Sequence, residues 1–291
     1  PAMPASELYW DVRNRKWSQV ISTAESKPCQ ARFRDRVGYT ALHQACSLDP
    51  PVEVVVYLLN AYPEAISLQN KWGETPLHYA CIYSKHEVVR TLLRSSIEII
   101  HTRNMETFTS LEYLCHLRGY KLSAAVRRSL PPSKEVLSEL LTEDEELTRI
   151  WNNAHLLVET AYHNPPNGSL KGDKKFRILH ACAEMEICPA DFLQAAVKLY
   201  PEQLKEVDED GYLPLHLAAR SGKMWSQGVA TFVEAHPAAL ASLAIDERYY
   251  PNVLAFLGRQ SSLSTLFGVL QQIPVIMSAS PSNVRKRTIQ E

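Results

Sequence analysis

The hexapeptide Gly-Glu-Thr-Pro-Leu-His at Gly73–His78 recurs along the chain at a spacing that an ordinary globular core does not require. Gly38-Tyr39-Thr40-Ala41-Leu42-His43 precedes it, and Gly211-Tyr212-Leu213-Pro214-Leu215-His216 follows late. Thr109-Ser110-Leu111-Glu112 and Arg177-Ile178-Leu179-His180 are weaker copies. The shared Leu falls at 42, 77, 111, 179 and 215, so the steps are 35, 34, 68 and 36, the 68 being two periods around a degenerate copy. A unit of this length cannot bury its apolar face alone, so copies must stack on one another.

Each part of the motif has a physical task. Gly38, Gly73 and Gly211 supply the positive-φ backbone of a tight turn. Thr40 and Thr75 stand where a helix begins and can satisfy its orphan N–H groups. Pro76 and Pro214 suit the first helical turn, where no N–H is needed. The recurrent Leu faces the shared core. Thr107 and Lys175 replace the turn Gly and Glu112 replaces a His, so the third and fifth copies are expected to be less regular.

A period near 33 residues carrying T-P-L-H resembles the ankyrin repeat, a turn followed by two antiparallel helices. The resemblance covers roughly residues 5 to 275. In finer pattern the chain is similar to ankyrin-repeat proteins of diatoms and related algae. The outer helix ends in Tyr62-Pro63-Glu64-Ala65 and Tyr200-Pro201-Glu202, with His236-Pro237-Ala238-Ala239 a third such turn, and Tyr250-Pro251-Asn252-Val253 also fits that pattern. The resemblance implies an all-α ankyrin-repeat solenoid of about six to seven repeats, counting degenerate and capping ones. It also implies that His43, His78, His180 and His216 hydrogen-bond within and between repeats.

Residues 5–34 read as an N-terminal cap and 35–118 as repeats one to three. Residues 119–175 are irregular, with a break at Pro131-Pro132, a capping box from Thr142 to Glu145 and a long helix carrying Leu147, Ile150, Trp151, Ala154, Leu157, Val158 and Ala161. Asn164-Pro165-Pro166-Asn167-Gly168-Ser169 is a loop. Residues 176–277 carry the C-terminal repeats, the last with Leu263, Leu266, Phe267 and Leu270 on its final helix, and 278–291 form a loose Ser/Pro-containing tail.

Formal charge is −1 over 291 residues, without the basic excess of a general nucleic-acid binder. No apolar run reaches the ~18 residues of a membrane span, and no secretory signal pattern opens the chain. The expectation is a soluble intracellular protein, cytoplasmic with the nucleus or an organelle as alternatives, monomeric and without cofactor. Cys46, Cys81 and Cys115 each lie four residues after the motif Leu, as small packing residues where helices approach closely. The His43/Cys46 and His78/Cys81 pairs sit on helices about 8–10 Å apart, too far to share one zinc ion with ligands at about 2.0–2.3 Å. No phosphate-cradling Gly-rich loop, nucleophile elbow or HExxH is present. His155 and Glu159 read as an ordinary i,i+4 surface pair.

By the family resemblance, partners dock on turn tips and inner-helix positions. Here these carry Arg36, Tyr39, Lys71, Trp72, Glu74, Ile82, Tyr83, Met105 and Phe108, with Val37, Leu48 and Leu117 adding to the apolar content. Aromatics and Met on a would-be solvated face are what a protein-binding patch contains. Two readings compete. In one, this face binds another protein, with Tyr39, Trp72, Tyr83 and Phe108 as anchors and Arg36 and Glu74 giving orientation. In the other, the chain is a spacer whose groove is filled by its own residues 120–141. A His/Cys or His/Glu enzyme is the weaker third. Arg32, Arg34 and Arg36 at the first tip and Glu206, Asp208, Glu209 and Asp210 at a late one are solvated charge or a steering asymmetry.

Overall fold

The computed structural model describes residues 6–129, 134–166, 168, 174–221, 223, 225–236, 238 and 239. The break at Pro131-Pro132, the turns at Pro237 and Tyr250, the last helix around Leu263–Leu270 and the tail from 278 lie outside the described residues. The chain divides into two compact units, one drawn from Pro1–Cys182 and Ile187–Leu199, the other from Ala183–Glu186 and Tyr200–Glu291. Among the described residues every regular element is helical.

The first unit opens on a helix pair, α1 (Glu7–Arg13) and α2 (Trp17–Ser26), with Leu8, Val12 and Val20 fully buried. Inner and outer helices then alternate: α3 (Ala41–Cys46) and α4 (Val52–Ala61), α5 (Pro76–Tyr83) and α6 (His86–Ser95). The Tyr62-Pro63 turn is built as a 3-10 turn, Pro63–Ile66, and Tyr200-Pro201 as another, Pro201–Leu204. Proline leads each because the missing N–H is one that a first turn leaves unpaired anyway. Leu42 and Leu77 are buried as the motif requires, and so are Cys46, Cys81 and Cys115, all as free thiols. Burial pushes all three thiols well above the usual cysteine range, which leaves them inert as nucleophiles.

Each turn is closed by one recurring device. Asp35 accepts from the backbone N–H of Val37 and Tyr39, Asn70 from Trp72 and Glu74, Asn104 from Glu106 and Phe108, and Asp208 from Asp210 and Tyr212, all within 3.0 Å. Each of these residues stands seven before its motif Leu, and its side chain supplies the acceptor that closes the turn. Neighbouring tips join through Lys71 N–H to the Val37 carbonyl and Met105 N–H to the Trp72 carbonyl, both 2.9 Å. In this way side chains of three repeats are brought into one row.

The motif histidines cap and couple. His43 Nδ1 accepts from Thr40 N–H at 3.3 Å, which leaves its proton on Nε2 to donate to the Glu74 carbonyl of the next repeat at 3.2 Å. His78 does the same between Thr75 and the Phe108 carbonyl. In the third copy Glu112 keeps the capping role, its carboxylate accepting from Thr109 N–H at 2.6 Å. It cannot donate onward, and it is neutralised by Arg103 at 3.2 Å instead. His216 Nδ1 accepts from Leu213 N–H, and His180 is buried.

The third copy departs from the others in two ways. Its turn places Thr107 at φ 67°, a conformation a β-branched side chain rarely adopts. Thr107→Gly is therefore expected to stabilise the first unit by about 1 kcal/mol, read as a higher urea midpoint. A lower midpoint would show that the hydroxyl and methyl contribute more than the strain costs. The second departure is α7 (Ser110–Arg128), which runs on for 19 residues, so the irregular segment expected from 119 begins inside a helix.

A short helix α8 (Lys134–Glu143) then leads into α9 (Glu145–His163). The helix start expected from the Thr142–Glu145 box is displaced. Thr142 lies in the last turn of α8 and donates to the Glu139 carbonyl, while Asp144 caps α9 through Glu146 and Leu147 N–H at 3.0 Å. α9 packs on α7, α6 and α5, where the third repeat needs an outer helix. Buried Asn153 pins it by donating to the Cys81 and Ser84 carbonyls, both 2.9 Å. α10 (Ile178–Glu184) and α11 (Ala190–Leu199) follow, and α11 packs against α7 at buried Gly119. In the second unit α12 (Pro214–Arg220) packs on α13 (Val229–Ala235).

Candidate functional site

The inner helices place side chains at the motif Leu plus two, Tyr79 and Tyr113, beneath the row of turn tips. Together with Tyr39, Trp72, Glu74, Asn104, Met105 and Glu106 they line an open pocket of about 440 Å³. Tyr39 packs edge-on to Trp72 with centroids 6.1 Å apart and planes at 76°, and tilts against Tyr79 at 5.3 Å. Its hydroxyl pairs with that of Tyr79, which in turn bonds the Glu74 carboxylate. Asn70 Nδ2 completes the set with bonds to Glu74 at 2.9 Å and to the Tyr79 hydroxyl at 3.0 Å.

These bonds decide the charge of the floor. Burial pushes the Glu74 carboxyl upward, but hydrogen bonds from Asn70, Tyr113 and Tyr79 outweigh it and hold the group below the usual carboxylate range. Burial together with the hydrogen bond to Glu74 pushes the Tyr79 and Tyr113 phenols up, so both stay protonated and donate. Burial likewise raises Tyr39. The result is a carboxylate under aromatic walls.

The expected partner-facing residues separate into groups. Trp72, Tyr83 and Met105 are exposed, at 42%, 38% and 76%, as are Arg36 and Lys71. The Lys71 ammonium lies over the Trp72 ring at 4.4 Å. Tyr39 and Phe108 are half-buried, Phe108 tilted against His116 at 4.9 Å. Ile82 is corrected: at 2% exposure it faces the core rather than solvent, because the inner helix turns it towards the stack. Glu74 is buried as well. At 6% exposure it lies at the floor of the pocket and ties the fold together, rather than standing in solvent at the tip.

Tyr79 and Tyr113 were missed by reasoning from the tips. Their signal was available as a Tyr recurring two residues after the motif Leu. The Arg cluster at the first tip is partly consumed by the fold: Arg34 donates to the Gln69 carbonyl at 2.7 Å, and Arg32 covers the Tyr62 ring at 5.2 Å. Asp208 in the late acidic run closes its turn. His155 packs among Trp151 and Phe176 rings, and burial lowers its pKa. Among the described residues no group of His, Cys, Asp and Glu is arranged to hold a metal ion. No described helix is long and apolar enough to cross a membrane.

Turn, inner helix and outer helix, tied by capping histidines to the next unit, define an ankyrin-repeat fold of the all-α class. Residues 16–105 match the family model for ankyrin repeats in 3 copies, a stretch that begins inside the segment expected as a cap. Ankyrin repeats generally serve as protein–protein interaction modules. Among solved structures the chain is similar to an ankyrin repeat domain from Acinetobacter baumannii AYE, at 14% identity over 78% of this chain and 96% of that one, with a TM-score of 0.40. No curated protein matches the chain.

Proposed function

We propose that the chain is a non-enzymatic adaptor that binds a protein partner on the inner-helix and turn-tip face of its first three repeats. The observation that carries this reading is the Tyr39–Trp72–Tyr79–Met105–Tyr113 pocket, with Trp72 and Met105 left in solvent at its rim. Large apolar side chains clustered around a concavity are what a hot spot is made of. The self-filled reading is disfavoured by where the described part of 120–141 goes. Residues up to 128 continue α7, and α8 packs on α9, α11 and α7.

Trp72 and Met105 are exposed, so a Trp72→Ser/Met105→Ser variant keeps the fold. In affinity capture from a native lysate, with matched circular dichroism, the double variant is expected to lose a specific partner by roughly 30-fold, a loss of about 2 kcal/mol. Identical captures from the two proteins would overturn the reading and leave the spacer.

A further inference from the structure

We infer that the pocket under Trp72 is a cation cage, which receives the alkylammonium of a lysine or methylated lysine side chain presented by the partner. The inference rests on the partner-binding reading and names the group that enters the pocket. Three observations carry it. First, the walls are aromatic. Tyr39 and Trp72 meet nearly at right angles, and Tyr79 and Tyr113 close the side formed by the inner helices. Rings set at steep angles around one opening suit a small cation better than a flat apolar group, because the negative face of an aromatic ring attracts charge.

Second, the floor is a buried carboxylate with neutral company. The hydrogen-bond donors to Glu74 are Asn70, Tyr79 and Tyr113, and among the described residues no Lys or Arg pairs with it. A buried charge supported by dipoles alone leaves a field in the adjacent pocket, and that field is strong where water is displaced. Glu106 on the rim adds to it. A neutral side chain would cover that charge without compensating it, and an anion would be repelled. Third, the Trp72 ring already attracts an ammonium, that of Lys71, at 4.4 Å. Methylation weakens the hydration of an ammonium, so a methylated lysine gives up less water on entering.

The test is an NMR titration of the full chain, following the backbone amide signals of Met105 and Glu106, which line the pocket and remain observable when Trp72 is replaced. The probes are Nα-acetyl-Nε-trimethyl-lysine amide, Nα-acetyl-lysine amide, and the neutral isostere with a tert-butyl carbon in place of the charged nitrogen. The expected result is that at least one cation binds roughly tenfold tighter than the isostere, and that Trp72→Ala, which does not disturb the core, abolishes the difference. Tighter binding of the trimethylated probe assigns the occupant as modified lysine, and equal binding of the two cations assigns it as lysine in general. Equal affinity for cation and isostere, or no binding of either cation, overturns the inference. If the cations fail while the Trp72→Ser/Met105→Ser variant still loses its partner, the cage falls and the partner-binding reading stands.

Discussion

Gly73→Ala is expected to cost the first unit about 3 kcal/mol, the sum of a left-handed backbone and a collision. Gly73 sits at φ 76°, and a Cβ there would lie 2.8 Å from the Met105 backbone nitrogen and 3.1 Å from the Asn104 backbone. Those atoms belong to the next turn, held by the Trp72 carbonyl and the Asn104 side chain, so neither can retreat without breaking the ladder of tips. Gly211 provides the comparison. It has φ 83° with nothing within 4 Å, so Gly211→Ala carries the conformational cost alone, about 1 kcal/mol. Urea unfolding of the two variants measures the difference. An equal or smaller effect at Gly73 would mean that the successive turns are not rigidly tied.

Acid is expected to weaken the first unit well before its carboxylates are fully protonated. Burial lowers the His43 pKa to about 4, against about 6.5 for an unfolded histidine. Between these values the unfolded chain binds a proton that the folded chain refuses. Stability is therefore at its full value above pH 6.5 and falls as the pH drops towards 4. For a side chain with no exposure the loss amounts to about 3 kcal/mol. His78, also lowered by burial, acts in the same direction. Glu74, held below the usual carboxylate range, adds its loss at lower pH, because its hydrogen bonds to Asn70, Tyr79 and Tyr113 need the ionised form. Denaturant midpoints between pH 7.5 and 5 test this, with His43→Gln as the control that removes one titrating group. A flat wild-type profile, or an unchanged slope in the variant, would refute the account.

Both effects come from features visible in the sequence, the turn Gly and the motif His, yet their size depends on the neighbouring repeat. Gly73 is costly to replace because Asn104 and Met105 are close, and His43 is neutral because the stacked repeats bury its ring. The same division runs through the candidate site. Trp72 and Met105 were legible as turn-tip residues. Tyr79 and Tyr113 join them only because the two inner helices stand side by side at matching heights.

The period, the turn glycines, the capping positions and the leucines and cysteines of the core are all legible before the chain folds. All of these are local patterns repeated at a fixed spacing, and local backbone preference is enough to specify them. Tertiary structure alone decided that Ile82 faces inward, that Glu74 is the floor of a pocket, and that α9 stands as the third repeat's outer helix. A half-apolar side chain is buried or exposed according to what comes to lie on it. For the third repeat that partner arrives from far along the chain, as in the bond from Asn153 to Cys81, 72 residues apart. Periodicity states which face of a helix must be covered; only the folded chain settles which segment covers it.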